Sequence, residues 1–206
     1  GNLNVDAGGI ANNNTVNSGG YFRIYSGGSA NNTTVNYGGK IYISSGGFIN
    51  STMLSDTSLD IVAGAVANNT TLTGWGALSV SSGGVANGVT GNSGTNLYVS
   101  SGGTATAIKE NGGYVYVADG AKVTFVANTF SGLELSYESA TLHSGTTANS
   151  NTIKTNGYLY VYGGTANSNT VNADGALNVS GGTANDTTVN CDGNLNVDAG
   201  GIANNT

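Results

Sequence analysis

The sequence has 206 residues, with 35 glycines, no proline, one cysteine and a net charge of −6. Only 8% of the residues are charged, which excludes a coiled coil, a charge-driven disordered tail and a basic nucleic-acid binder. Few ionisable groups remain for catalysis, and no apolar run approaches the roughly 18 residues of a membrane-spanning helix.

A repeat of 18 or 19 residues runs through the chain. Residues 1–13 read GNLNVDAGGIANN, and residues 193–205 read the same. Each copy begins with two apolar residues that are separated by one other residue, and this period of two is that of a strand and not of a helix. The apolar pairs are Leu3/Val5, Phe22/Ile24, Ile41/Ile43, Leu59/Ile61, Leu78/Val80, Leu97/Val99, Val115/Val117, Leu133/Leu135, Leu159/Val161, Leu177/Val179 and Leu195/Val197.

These short strands alternate with glycine-containing corners, so each repeat predicts one coil of a solenoid. We expect an all-β, single-stranded parallel β-helix of about 11 coils, which forms one domain over residues 1–206. The apolar pairs point inward and stack on the same positions of adjacent coils. A second inward position is predicted at Val16, Val35, Leu54, Leu72, Val89, Ile108, Ile153, Val171 and Val189.

Asparagine recurs after the Gly-Gly corner. On adjacent coils, identical Asn side chains can hydrogen-bond to one another in a ladder. The ladder is predicted at Asn12, Asn31, Asn68, Asn87, Asn167, Asn185 and Asn204.

The repeat breaks at residues 129–144. The step from Leu133 to Leu159 is 26 residues, which predicts an irregular insertion that leaves the solenoid as a loop or a bulge. The segment contains Glu134, Glu138 and His143. Two nearby carboxylates leave open a polysaccharide-cleaving or polysaccharide-binding β-helix as an alternative, although no second acidic row faces them. No metal ligand cluster and no cofactor are predicted.

Two kinds of outward side chain are candidates for function. Tyrosine offers a flat apolar face and a hydroxyl, which suits contact with a sugar or a protein, and the alternative is ring stacking that only stiffens the sheet. The candidate contact surface is Tyr98, Tyr114, Tyr116, Tyr158, Tyr160 and Tyr162. Hydroxyls beside the Gly-Gly corners are candidate O-glycosylation sites, with ordinary turn chemistry as the alternative. They are Ser26, Ser45, Ser82, Ser101, Thr104, Thr165 and Thr183.

The repeat resembles the passenger repeats of AIDA-type autotransporter adhesins. The best matches are VDAGGIA at residues 5–11, VSSGGVA at 80–86 and VSSGGTA at 99–105. The resemblance covers nearly the whole chain except residues 129–144. It implies a right-handed β-helix at the surface of a Gram-negative cell, exported by a C-terminal outer-membrane barrel that is not in this sequence, and hence a segment of a longer passenger.

The same resemblance implies a non-enzymatic adhesin that mediates cell attachment, autoaggregation or biofilm formation. Its partners would be a second copy, or a glycan or protein on a host cell. It also implies O-linked heptose on Ser and Thr, added by a dedicated cytoplasmic heptosyltransferase. No nucleic acid and no membrane-spanning segment are expected.

Overall fold

A computed structural model describes residues 1–206 as an all-β chain without helices. The strands run parallel and stack as a β-solenoid of about 11 turns, which confirms the predicted fold class. No helix is present that could span a membrane. The chain divides into two compact units, one of residues 1–108 and 115–124, the other of residues 109–114 and 125–206.

The first unit contains a seven-stranded sheet, ordered β14-β12-β10-β8-β6-β4-β2, and two shorter sheets, β1-β3-β5 and β13-β11-β9-β7. Each coil therefore contributes one short strand of about four residues and one longer strand of up to eight. The first fourteen strands are β1 (Asn2–Val5), β2 (Ile10–Val16), β3 (Tyr21–Ile24), β4 (Ser29–Val35), β5 (Lys40–Ile43), β6 (Phe48–Ser55), β7 (Ser58–Ile61), β8 (Val66–Thr73), β9 (Ala77–Val80), β10 (Val85–Asn92), β11 (Asn96–Val99), β12 (Thr104–Asn111), β13 (Tyr114–Val117) and β14 (Lys122–Phe125).

The second unit has three strands in each coil. Its sheets are β15-β18-β21-β24-β27, β16-β19-β22-β25 and β17-β20-β23-β26. The remaining strands are β15 (Asn128–Ser131), β16 (Glu134–Ser136), β17 (Ser139–Leu142), β18 (Thr146–Asn149), β19 (Thr152–Lys154), β20 (Tyr158–Val161), β21 (Thr165–Asn167), β22 (Thr170–Val171), β23 (Ala176–Val179), β24 (Thr183–Asn185), β25 (Thr188–Val189), β26 (Asn194–Val197) and β27 (Ile202–Asn204).

The inward apolar pairs form the core of each unit. Leu78 of β9 pairs in register with Leu59 of β7 and Leu97 of β11, and all three are buried. Burying one such side chain contributes roughly 1.5–3 kcal/mol, so these rows are the main source of stability. Leu3 of the first coil is 40% exposed because a described coil covers it on one side only.

The predicted alignment of the pair Leu133/Leu135 with Leu159/Val161 is wrong, although Leu135 is fully buried in the core and Leu133 packs against it. Leu135 of β16 pairs with Ile153, whereas Ala140 and Leu142 of β17 pair with Leu159 and Val161. Two pairs in this coil have the apolar-x-apolar spacing, Leu133/Leu135 and Ala140/Leu142. The second pair continues the row, but the small side chain of Ala140 makes it hard to recognise in the sequence. Residues 129–144 are thus three strands paired with the next coil and not a protruding loop.

The second inward position also shifts along the first unit. Leu72 pairs with Gly91, and Val89 pairs with the buried Thr70, so the predicted alignment of Val89 with Leu72 is wrong. Nineteen residues after Gly91, the same position holds Glu110.

Candidate functional site

A buried carboxylate lies in the second unit. Glu110 is fully buried and accepts four hydrogen bonds. Thr141 Oγ1 and His143 Nδ1 donate to Oε1 at 2.7 Å, and His143 N and Thr146 Oγ1 donate to Oε2 at 2.8 Å. Each carboxylate oxygen of Glu110 accepts two hydrogen bonds, so neither oxygen is left to accept a proton from a substrate. Within the second unit, these hydrogen bonds hold Glu110 to Thr141 of β17 and Thr146 of β18.

His143 also belongs to an aromatic row in the second unit. Its ring stacks on Phe125 at 4.3 Å between centroids, with 7° between the planes, and lies 5.5 Å from the Tyr162 ring. Tyr160 stacks on Tyr162 at 5.9 Å and on Tyr158 at 6.1 Å. We call Phe125, His143, Tyr162, Tyr160 and Tyr158 the aromatic row.

The row results from strand alternation. Tyr158 and Tyr160 alternate with inward Leu159 and Val161, so their rings stand on the outer face of β20, about one two-residue step apart. Burial raises the pKa of the Tyr160 hydroxyl, and the neighbouring Tyr162 and Tyr158 raise it further. Burial also raises the pKa of Tyr162.

The structure divides the six predicted tyrosines between the two units. Tyr114 meets the edge of the Tyr160 ring at 6.0 Å, so four of the six lie together in the second unit. Tyr98 and Tyr116 form a separate tilted pair, 6.5 Å apart, in the first unit.

The candidate acid residues do not form a catalytic pair. Glu134 is 61% exposed at its side chain and is ion-paired with Lys154 at 2.6 Å. Glu138 follows a corner at Tyr137, whose φ is 57°, and precedes β17. Glu134 and Glu138 therefore do not lie on one strand face, because a change of chain direction lies between them. No group of three or more His, Cys, Asp or Glu side chains could hold a metal ion.

The candidate hydroxyls fall into two environments. Ser26, Ser45, Ser82 and Ser101 are exposed in equivalent turns of the first unit. Backbone hydrogen bonds of 2.9–3.0 Å join successive turns, as from Gly27 N to Gly46 O and from Gly83 N to Gly102 O, so serines of adjacent coils form columns. Thr104, Thr165 and Thr183 are instead half-buried within strands β12, β21 and β24.

The predicted asparagine ladder is present in both units. Asn31 donates to Asn12 at 2.9 Å in the first unit. In the second unit, Asn204 donates to Asn185 and Asn185 to Asn167, each at 2.9 Å. The ladder satisfies corner polar groups from coil to coil, which supports the interpretation that it is structural.

Glu110 is the site residue that sequence reasoning missed. A charged residue at a position that holds Leu54 and Leu72 in earlier coils was a usable signal. Its partners Thr141, His143 and Thr146 lie 31 to 36 residues away, a separation that the repeat length does not predict.

Comparison with known proteins identifies a family and a similar solved structure. Residues 4–57 match the family model described as the adhesin of the bacterial autotransporter system, probable stalk. Among solved structures, the chain is similar to the TibC-catalyzed hyper-glycosylated fragment of TibA, residues 55–350, with 30% identity and a TM-score of 0.59. The match covers 100% of this chain and 92% of that chain. No curated protein sequence matches the chain.

Proposed function

Because the chain belongs to the family of AIDA-type autotransporter adhesins, we propose that it is a non-enzymatic segment of an adhesin passenger displayed on the bacterial cell surface. The observation that carries this proposal is the full-length match to the TibA fragment. The environments of Glu110 and Glu134 support it, since the first is saturated with hydrogen bonds and the second is ion-paired.

The proposed activity is self-association or attachment to a host-cell glycan or protein through the flanks of the solenoid. Each contact is weak, but a repeated surface multiplies contacts without new chemistry. Tyr114 and the three tyrosines of the aromatic row lie together on the outer face, where Tyr162 is exposed and the other three are half-buried. Aromatic side chains are enriched in binding surfaces because they bury large areas at low entropic cost.

Autoaggregation of cells that display the segment tests this contact surface. Replacing Tyr114, Tyr116, Tyr158 and Tyr160 by Ser should abolish clumping. The matched control is Tyr37→Ser, which removes a tyrosine that is 76% exposed and outside the row. Unchanged clumping of the fourfold variant would remove these tyrosines from the contact surface.

We also propose that the segment accepts O-linked heptose from a cytoplasmic heptosyltransferase, most readily at Ser26, Ser45, Ser82 and Ser101. A transferase has to reach the hydroxyl, and these turn serines are exposed, whereas the threonines Thr104, Thr165 and Thr183 are half-buried. The threonines remain secondary candidates.

Intact mass after coexpression with such a transferase tests the modification. The native chain should gain whole heptose units over 20.4 kDa, and each turn Ser→Ala change should remove one unit. Ser29→Ala, in strand β4, is the control and should remove none. An unmodified mass in the presence of active transferase would refute the proposal while leaving the adhesin role standing.

A further inference from the structure

The first unit contains one break in the stacking of its short strands. Strands β5 and β7 lie on consecutive coils, yet β5 ends one sheet and β7 begins another. The next strands of the same two coils, β6 and β8, are paired from Phe48↔Val66 to Ser55↔Thr73. The two coils are therefore joined by a ladder of backbone hydrogen bonds on one face and not on the other.

The open face leaves backbone groups of β5 without ladder partners. Lys40 N donates to Gly20 O and Ser44 N to Ile24 O, so these residues point their backbone toward β3. The backbone groups of successive residues in a strand point to opposite edges. The N–H and C=O groups of Ile41 and Ile43 therefore point toward β7.

The hydrogen bonds that flank each paired strand are also missing at this break. In the neighbouring pairs, Tyr25 N donates to Val5 O and Ser81 N donates to Ile61 O, at 2.9 and 3.0 Å. The equivalent hydrogen bond, from Val62 N to Ile43 O at the end of β5, is absent. At the other end, Thr57 Oγ1 donates to Gly39 O at 3.0 Å, where a backbone N–H would donate in a paired ladder.

A shortened corner accounts for the break. Five steps separate the last inward residue of β4, Val35, from the start of β5, but only four separate Leu54 from Ser58 at the start of β7. The corner after β12 is equally short, yet β13 pairs with β11. That corner contains Gly112 at φ 91° followed by a second glycine, whereas this one contains Asp56 and Thr57, which have less backbone freedom.

The break forms a slot of about 480 Å³ between β5 and β7, a volume within the range of ligand sites. Its floor includes Ile41 and Ile43, and its mouth includes Tyr42, Ser58 and Asp60. Slot residues thus present an apolar floor, unpaired main-chain groups along the walls and polar groups at the rim.

We propose that this slot binds an extended polypeptide strand with apolar residues at alternating positions. Unpaired strand edges are templates for strand addition, and here two of them face each other. A peptide backbone matches their alternating donors and acceptors group for group along a four-residue strand, about 13 Å; the hydroxyls of a sugar ring have no such period.

Side-chain alternation sets the preferred sequence of this peptide. Its inward residues continue the rows from Ile41 to Leu59 and from Ile43 to Ile61, so they are apolar. Its outward residues meet the polar rim. Seating requires β5 and β7 to separate to two strand spacings, about 9.6 Å, with the paired β6 and β8 as the closed side. The site goes beyond the adhesin role proposed above and does not depend on it.

Fluorescence anisotropy with labelled peptides tests the proposal. Peptide TLNVS, with alternating apolar residues, should bind saturably, and peptide TLVNS, of the same composition with adjacent apolar residues, should bind at least tenfold more weakly. A variant with Tyr42→Cys, Asp60→Cys and Cys191→Ser should lose binding when oxidised, because the disulfide closes the slot, and regain it when reduced. This reversal in one protein excludes misfolding as the cause.

Amide hydrogen exchange gives a second readout on the unmodified chain. The amides of Ile41 and Ile43 should exchange faster than those of Leu59 and Ile61, which face the paired β9, and TLNVS should slow them. Equal affinity for both peptides, binding by the oxidised variant, or slow exchange at Ile41 and Ile43 without peptide would each overturn the proposal. Saturation by a soluble oligosaccharide with no response to TLNVS would overturn it in favour of a sugar.

Discussion

At the scale of single residues, two side chains show how this chain uses its few charges. Glu110 is the one fully buried charged residue, and four donors from β17, β18 and the turn between them converge on it. Glu134 also has a partner, but in solvent. The carboxylate of Glu110 therefore holds strands together in the interior, whereas that of Glu134 forms a solvent-exposed ion pair.

Glu110→Gln should lower the free energy of unfolding by about 2–3 kcal/mol, because an amide NH₂ would face groups that also donate. Chemical denaturation measures the loss. Glu134→Gln is the control and should cost less than about 1 kcal/mol, as exposed ion pairs contribute little. Equal stability of the two variants would contradict the assignment of Glu110 as a buried anchor.

The raised pKa values of Tyr160 and Tyr162 predict a stability change in alkali. The folded state favours the neutral hydroxyl, so this contribution is complete below the unfolded value of 10.0 and is lost as the pH rises through the folded pKa. A variant with both Tyr160→Phe and Tyr162→Phe should lose less stability than the wild type between about pH 9 and about pH 11, measured by denaturant unfolding. An identical decline of the free energy of unfolding in both proteins would contradict the attribution of the alkaline loss to Tyr160 and Tyr162.

At the scale of elements, strands and corners of adjacent coils are coupled through like residues. Asn185 illustrates this, since it donates to Asn167 and accepts from Asn204. The corner between β6 and β7 illustrates the reverse, because β7 follows a shortened corner that contains Asp56 and Thr57 and does not pair with β5. Corners thus decide whether the strands that follow them pair.

Asn185→Ala should destabilise the chain by about 1–2 kcal/mol, because it removes two hydrogen bonds, the donor to Asn167 and the acceptor for Asn204. Asn204→Ala removes a single bond at the edge of the ladder and should cost about half as much. Thermal or denaturant unfolding of both variants measures the difference. A ladder that contributes nothing would leave both variants at wild-type stability.

At the scale of the whole molecule, the solenoid has few contacts between residues of distant coils. Each coil packs on its immediate neighbours, so local damage should spread along the stack by nearest-neighbour coupling. Stability is therefore distributed over many equivalent apolar rows and not concentrated in one centre.

Leu78→Ala removes a buried side chain from the middle of the first unit and should cost about 3 kcal/mol. Amide hydrogen exchange should show the largest loss of protection in β7 and β11, whose Leu59 and Leu97 contact it in register. The loss should be smaller at Phe22, two coils further away. Uniform loss across the unit would indicate all-or-none unfolding instead.

The repeat by itself determined the fold class and most of the core. An apolar pair every 18 or 19 residues permits only a stacked parallel architecture, and identical corner residues then meet in ladders, so the solenoid and the asparagine ladder were predictable. The exposed positions of the turn serines and the outward direction of Tyr160 followed from the same pattern.

Only the tertiary structure decided what depends on register across irregular coils. Because the repeat is irregular here, the sequence does not show that Leu142, and not Leu135, continues the row to Val161. The sequence also does not show that four hydrogen-bond donors meet at Glu110, or that β5 and β7 do not pair. The physical reason is that the period specifies which residues face inward, whereas corner length and side-chain volume decide which inward residues of neighbouring coils come into contact.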